Sequence, residues 1–188
     1  MNISRNGILM NFVKKGGLVL CILVAMFVVI GLELPGSVHV EREIVIVAPP
    51  ETVFRLVNNL RESTKWSPWF DQDPSVKLRM EGPASGKGAR MIWASENPDV
   101  GSGSQEITQS RSGRKVITNL DFGGRGTAVS TMTIIPYGNG ARVNWAFDAR
   151  FGYDPLKRYF GLFVDERIER EYKNGLTRLK LVAERQNM

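Results

Sequence analysis

The longest apolar run in the chain lies near its N-terminus. Residues 16–32 have the sequence GGLVLCILVAMFVVIGL, without a charged residue, and Glu33 ends the run. A helix rises about 1.5 Å per residue, so this stretch and its flanking residues are long enough to cross the apolar core of a bilayer. The pattern predicts a transmembrane helix over residues 16–33.

The charges on either side of this helix predict its orientation. Those before it are all basic (Arg5, Lys14 and Lys15), whereas acidic residues begin at Glu33 on the other side. The positive-inside bias then places residues 1–15 in the cytoplasm and the rest of the chain on the extracytoplasmic side, which is the periplasm in a bacterium. A cleaved signal peptide is the alternative, but no small-residue cleavage site follows the apolar run.

After residue 33 the hydrophobic pattern predicts short strands and helices. After a turn-like linker, residues 34–37, an alternating run at residues 38–47 predicts a first strand. Helical spacing follows, and it predicts two short helices, one beginning at Pro50 and one at residues 61–65, ending ahead of Pro68.

The middle of the chain predicts a β-sheet. Six segments between residues 76 and 152 combine β-branched and aromatic residues with glycine-containing turns: VKLRM, GARMIWASE, GSQEITQS, RKVITNLDFG, TAVSTMTIIPYG and ARVNWAFDARFG. Such a series is typical of an antiparallel meander. In the last segment Val143, Trp145 and Phe147 alternate with more polar residues, so one face of that strand should be buried.

A long helix should end the chain. Asp154 is a suitable N-cap, Pro155 fits the first turn, and apolar residues then recur at helical spacing as far as Arg185. Seven strands and one long helix pack most economically when the sheet curls around the helix, because each has an apolar face to bury. The predicted fold class is α+β, with one domain over residues 38–188. Gly175 interrupts the helix and favours a close helix–sheet contact.

Several short motifs accompany this order of elements: VEREIVIVAPPETVFRLV (40–57), WSPW (66–69), EGPASGKGARMIW (81–93), VNWAF (143–147) and GLTRLKLVAE (175–184). Together they resemble the helix-grip fold of the START-like (SRPBCC) superfamily, and most of all its polyketide cyclase/dehydrase branch. The resemblance covers about residues 38–184. It implies a helix-grip fold and an apolar ligand cavity between sheet and C-terminal helix, but it implies chemistry only weakly, because one fold hosts many functions.

The apolar and aromatic residues expected to face this cavity are the candidate ligand contacts, and the expected partner is a hydrophobic small molecule or lipid. They are Trp66, Trp69, Met91, Trp93, Leu120, Phe122, Trp145, Phe147, Phe160 and Phe163. For each of them plain core packing is the alternative, because buried aromatic residues are usually packing residues. The tryptophans of WSPW are expected either to line the lip of the cavity or to plug the core.

The titratable residues offer little for acid–base or nucleophilic chemistry. The domain has one histidine, His39, and the only cysteine, Cys21, lies in the predicted transmembrane helix. A Cys/His pair and a His-rich metal cluster are therefore excluded from the domain, and no nucleophile-elbow sequence accompanies His39. Asp121 and Asp148 fall on the outward faces of their strands. No catalytic residue is assigned, and no cofactor or metal is predicted.

Charge and glycine patterns exclude two further classes of site. The net charge of +6 is spread among residues of both signs, without the basic stripe and interleaved aromatic residues that nucleic-acid binding requires. The charged residues 165–171 fit a solvated helix face. The glycines of EGPASGKG precede a strand, so they predict a turn and not a phosphate-binding loop.

The sequence thus favours a membrane-anchored domain that binds an apolar ligand without catalysis. One alternative is a cyclase- or dehydrase-like enzyme, for which Tyr153, Arg158 and Tyr159 near the start of the last helix are the candidate polar groups. A second alternative is a structural envelope protein whose cavity is filled by its own side chains. The ligand and the oligomeric state are not predicted.

Overall fold

The computed structural model describes residues 3–187, and the side chains of residues 14–187. The N-terminal helix α1 (Ile3–Glu33) is longer than predicted, because it continues back through most of residues 1–15. Residues 1 and 2 and the side chain of Arg5 lie outside the described part. By length and composition, Lys14–Glu33 could cross a membrane, and its apolar side chains are exposed.

The remaining elements follow the predicted order. Strand β1 (Ser37–Ile46) precedes the helices α2 (Pro50–Asn58) and α3 (Leu60–Ser63). A 3₁₀ turn, not predicted from the sequence, follows at Pro68–Asp71, where proline occupies the first helical position. The remaining strands are β2 (Lys77–Glu81), β3 (Arg90–Ala94), β4 (Ser102–Arg111), β5 (Lys115–Asp121), β6 (Thr127–Tyr137) and β7 (Gly140–Arg150), and the chain ends in α4 (Pro155–Arg185).

The seven strands form one antiparallel sheet in the order β1-β7-β6-β5-β4-β3-β2. All sequential neighbours from β2 to β7 pair, as the meander prediction required, and β1 closes onto β7. The concave face carries the buried residues Val143, Trp145 and Phe147 of β7, in the alternation read from the sequence. The helix-grip prediction is therefore confirmed.

Register places one end of this sheet beside the linker that follows α1. Val38 at the start of β1 pairs with Ala149, which pairs with Ala128, and Ala128 pairs with Leu120. Further along the sheet, Trp93 pairs with Gly103 at the same end. We call this the linker end of the sheet.

Side chains of α4 cover the edge strand β1. The Val47 amide donates a hydrogen bond to Glu184 Oε1 over 2.8 Å, and Lys180 Nζ donates one to the Val45 carbonyl over 3.0 Å. Arg42 also forms an ion pair with Glu169. These contacts satisfy edge groups that would otherwise be available to another chain, and they attach the helix along the strand.

Close packing of α4 on the sheet depends on Gly175. A Cβ atom at this position would lie 2.7 Å from Trp145 Cζ3 and 3.1 Å from Pro68 Cδ. The helix backbone therefore rests directly on the indole ring, as the sequence predicted for this glycine.

We expect Gly175→Ala to destabilise the fold. Alanine improves helix propensity by about 1 kcal/mol, but overpacking against rigid rings costs about 1–3 kcal/mol, so the free energy of unfolding should fall by about 1 kcal/mol. Chemical denaturation of the full chain, followed by tryptophan fluorescence, measures this. The control is Asn174→Ala at the exposed neighbouring position, which should be neutral or stabilising. Equal stability of the two variants would contradict the predicted steric conflict.

Candidate ligand site

The interior between β7 and α4 is filled by an aromatic cluster. The rings of Trp145 and Tyr172 stack with centroids 3.7 Å apart and planes 15° from parallel. The edge of Trp66 meets Trp145 at 5.4 Å, and Phe147 meets Tyr172 at 6.2 Å. All four residues are buried. This part of the predicted cavity is therefore core, and Trp66 plugs it instead of lining a lip.

Hydrogen bonds hold the cluster in one arrangement. Trp145 Nε1 donates to Ser130 Oγ over 2.8 Å, and the Tyr172 hydroxyl is 3.4 Å from the same oxygen. Trp66 Nε1 donates to the Leu56 carbonyl over 3.1 Å. Burial raises the pKa of Tyr172, so its phenol stays neutral at physiological pH. Both indole N–H groups of the cluster, those of Trp66 and Trp145, therefore have a hydrogen-bond acceptor.

Sequence reasoning did not single out Ser130 or Tyr172 for this site. Ser130 lies between Ala128 and Met132 on the alternating strand β6, and both of these neighbours are buried. A polar residue at an inward position is the signal that could have indicated it. Tyr172 lies on the buried face of α4, but its ring partner on β7 is 27 residues away in sequence and leaves no local pattern.

The concave face is more open at the linker end. Trp93, Leu120 and Phe122 are half-buried there, and the rings of Trp93 and Phe122 meet edge to face with centroids 6.1 Å apart. The indole of Trp93 lies over Gly103, which has no room for a Cβ atom. Met91, on the same face of β3, is fully buried. We call Trp93, Leu120 and Phe122 the apolar groove.

A loop connects this end of the sheet with α4. Within the β3–β4 loop, the Pro98 carbonyl accepts a hydrogen bond from Arg125 over 2.8 Å, and the Asp99 carbonyl accepts one from Arg167 over 3.2 Å. Arg167 also donates to Gln72 Oε1 over 2.9 Å. The prediction that the charges of residues 165–171 form a solvated face is therefore wrong for Arg167, whereas the side chain of Glu169, the partner of Arg42, is 47% exposed.

Two predicted cavity residues lie elsewhere. Phe160 is 56% exposed and Phe163 is 75% exposed, so neither is enclosed between helix and sheet. Helical spacing showed correctly that they share an apolar face, but this part of α4 extends beyond the buried aromatic cluster. Trp69 is half-buried and packs on the core from the 3₁₀ turn.

One concavity, lined largely by polar residues, lies apart from these residues. It has a volume of about 300 Å³ and is lined by Phe54, Arg55, Leu56, Asn58, Asn59, Glu62, Ser85 and Gln186. None of the predicted cavity residues contributes to it. The ligand-contact role of the predicted set therefore remains a prediction, now confined to the apolar groove.

The polar groups considered for catalysis are engaged elsewhere or exposed. Arg158 donates to the Gly152 and Leu34 carbonyls over 2.7 and 3.0 Å, and Tyr159 donates to the Phe27 carbonyl over 3.0 Å. Tyr153 is 87% exposed. Among residues 3–187, no group of three or more His, Cys, Asp or Glu side chains is placed to hold a metal ion.

His39 lies on the outer surface of the sheet, beside Asp148. Its Nδ1 is 2.7 Å from Asp148 Oδ1, and its Nε2 is 3.4 Å from Glu41 Oε2. The hydrogen bond to Asp148, reinforced by that to Glu41, raises the pKa of His39. This His–Asp pair is exposed and outside the apolar groove.

Ser130→Ala should destabilise the aromatic cluster, because it leaves the buried indole N–H of Trp145 without its acceptor. The expected loss is about 1–3 kcal/mol in the free energy of unfolding. Chemical denaturation measures it, with Thr131→Ala on the opposite face of β6 as the control. A loss no larger than that of the control would contradict the role given to the Ser130 hydroxyl.

His39 should make stability depend on pH. Because its folded pKa is raised, its contribution is fully present below the unfolded value of about 6.5 and disappears as pH rises through the folded pKa. The stability difference between the wild type and His39→Asn should therefore be larger at about pH 5.5 than at about pH 9. Denaturation at low salt checks this, since the group is exposed, and a pH-independent difference would refute it.

Comparisons with known proteins agree with this architecture. The profile of the family described as "Polyketide cyclase / dehydrase and lipid transport" matches residues 37–184. No curated protein sequence matches the chain. Among solved structures, a protein of unknown function from Staphylococcus aureus, SA2116, has a TM-score of 0.60 at 10% identity, covering 80% of this chain and 95% of its own.

Two further structures are similar at low identity. Protein CV1439 from Chromobacterium violaceum has a TM-score of 0.54 at 18% identity, covering 80% of this chain and 99% of its own. The di-domain aromatase/cyclase StfQ of the steffimycin biosynthetic pathway has a TM-score of 0.56 at 14% identity, covering 80% and 51%. At these low identities the solved structures show a shared fold only. The family profile, in contrast, matches the sequence itself over residues 37–184. The chain belongs to the polyketide cyclase/dehydrase and lipid transport family.

Proposed function

We propose that the protein is anchored in a membrane by α1 and binds an apolar small molecule or lipid in the apolar groove, without catalysing a reaction. The observation that supports this most directly is the half-buried state of Trp93, Leu120 and Phe122, beside an interior that is otherwise closed by the aromatic cluster. The family description, which includes lipid transport, supports the same ligand class. The orientation of α1 proposed from its flanking charges puts the domain on the extracytoplasmic side.

The free energy that an apolar contact supplies favours a ligand with a long apolar chain. Each buried methylene contributes about 0.8 kcal/mol, whereas micromolar binding requires about 8 kcal/mol before the costs of association. A chain of about ten methylenes or more is therefore needed. This excludes small apolar metabolites as tight ligands and favours fatty acids and lipids.

The contacts of Arg158 and Tyr159 do not support the enzyme alternative. Arg158 and Tyr159 bond to backbone carbonyls, three of their acceptors being in α1 or the following linker. These groups stabilise the attachment of α4 to α1 and are not directed at Trp93 or Phe122. We therefore propose structural roles for them.

The structural alternative is favoured by one specific observation, the filled interior around Trp145 and Tyr172. Under that hypothesis the exposed surface of Trp93 and Phe122 binds no ligand. The two hypotheses differ in whether the apolar groove accepts an acyl chain, so they are separable by experiment.

Photo-crosslinking with a diazirine-bearing palmitic acid tests the proposal. The full chain is reconstituted in phosphatidylcholine nanodiscs, irradiated with the probe, and mapped by peptide mass spectrometry. We expect adducts on the peptides that contain Trp93 and Phe122, in addition to those on α1. Leu120→Trp should fill the groove and reduce the groove adducts several-fold, because the added indole occupies the same face.

The matched control is Val129→Trp, which adds an indole on the outer face of β6. It should leave the groove adducts unchanged, and adducts on α1 should be equal in all three proteins. Adducts on α1 alone in the wild type would reject the binding function and favour the structural hypothesis.

A further inference from the structure

The first turns of α4 carry an exposed apolar surface. Leu156, Phe160 and Phe163 recur at helical spacing along one side of the helix, and they are 69%, 56% and 75% exposed. We call them the α4 apolar stripe. Aromatic and aliphatic side chains grouped in this way on a water-exposed helix are characteristic of a surface that contacts another apolar phase.

The stripe is adjacent to the contact between α4 and α1. The rings of Phe27 and Tyr159 stack with centroids 4.4 Å apart. Gly31 is so close to α4 that a Cβ atom there would lie 2.7 Å from Pro155 Cβ. Since Pro155 lies at Gly31 and Tyr159 at Phe27, the helices run in opposite directions at the contact. The contact is confined to the last two turns of α1, because the large apolar side chains of α1 before Phe27 are more than half exposed and α4 does not pack on them.

This contact places the start of the stripe near the C-terminal end of α1. Phe27 precedes Glu33, the last residue of the apolar helix, by six residues, which corresponds to about 9 Å of helix. If Lys14–Glu33 crosses a bilayer, Tyr159 reaches the boundary between headgroups and acyl chains. Phe160 is the next residue, and Phe163 lies one turn after Tyr159 on α4.

We propose that the α4 apolar stripe inserts into the outer boundary of the same bilayer that α1 spans. The flanking charges fit this position, because the exposed Lys157 can extend its ammonium group to lipid phosphates. Asp165 and Glu166, both exposed, end the apolar segment and limit its depth. Tyr153, exposed ahead of the helix, suits the interfacial layer where tyrosine is enriched.

The insertion also orients the apolar groove. Trp93 and Leu120 lie at the linker end of the sheet, and the β3–β4 loop joins that end to Arg167, one turn after Phe163. The groove thus opens beside the lipid surface. Resting on the proposed function, this means that an acyl ligand passes between groove and bilayer without crossing water.

Spin-label accessibility tests the insertion in the full chain. In a Cys21→Ala background, nitroxide labels are attached to Phe163→Cys and, as a control, to Leu181→Cys in phosphatidylcholine nanodiscs. Leu181 is 51% exposed on the same helix and lies about 27 Å further along it. We expect an oxygen-to-nickel-chelate accessibility ratio several-fold higher at 163 than at 181, because oxygen concentrates in lipid and the chelate in water.

Each other result would overturn the insertion. High nickel accessibility at position 163 would mean that the stripe faces water, and low accessibility to both reagents would mean that protein covers it. The outcome is independent of the crosslinking test. A lipid-exposed label together with an empty groove would preserve the insertion and reject the ligand-binding function, whereas groove adducts with a water-exposed label would do the reverse.

Discussion

Trp145 and Tyr172 are in face-to-face contact because α4 carries glycine at position 175, where the helix backbone meets the indole. The rest of the domain depends on this contact. It sets the distance between helix and sheet, and through Ser130 it fixes the orientation of both rings. Trp66 then closes the cluster from the other side. The WSPW segment is hydrophobic although it is not a regular helix, because it completes this core.

The fold was predictable because its elements depend on local patterns. Alternation in VNWAF gave the buried face of β7, and Asp154 and Pro155 marked the start of α4, where the Asp154 carboxylate caps Leu156 N–H over 3.0 Å. The site was less predictable. Helical spacing indicates that Phe160 and Phe163 share a face, but what covers that face depends on elements distant in sequence. Arg167 was misassigned for the same reason, since its partners are 68 and 95 residues away.

The attachment of α1 to the domain uses polar as well as apolar contacts. The last carbonyls of a helix have no partner within it, and Arg158 donates to the Leu32 and Leu34 carbonyls at the end of α1. Cationic side chains are also favoured at this end by the helix dipole. The start of α4 is therefore attached to α1, and the orientation of the domain relative to α1 is set by side-chain contacts and not by the linker alone.

The two halves of the concave face have different energetic roles. The part covered by α4 buries large rings and satisfies their polar atoms, so it supplies stability. Because this part is closed, the linker end can keep Trp93 and Phe122 half-buried without loss of the fold. Exposed aromatic surface is unfavourable in water, and that cost decreases where the neighbouring phase is lipid. A groove left incomplete at the end next to α1 would therefore be more stable against lipid than in water.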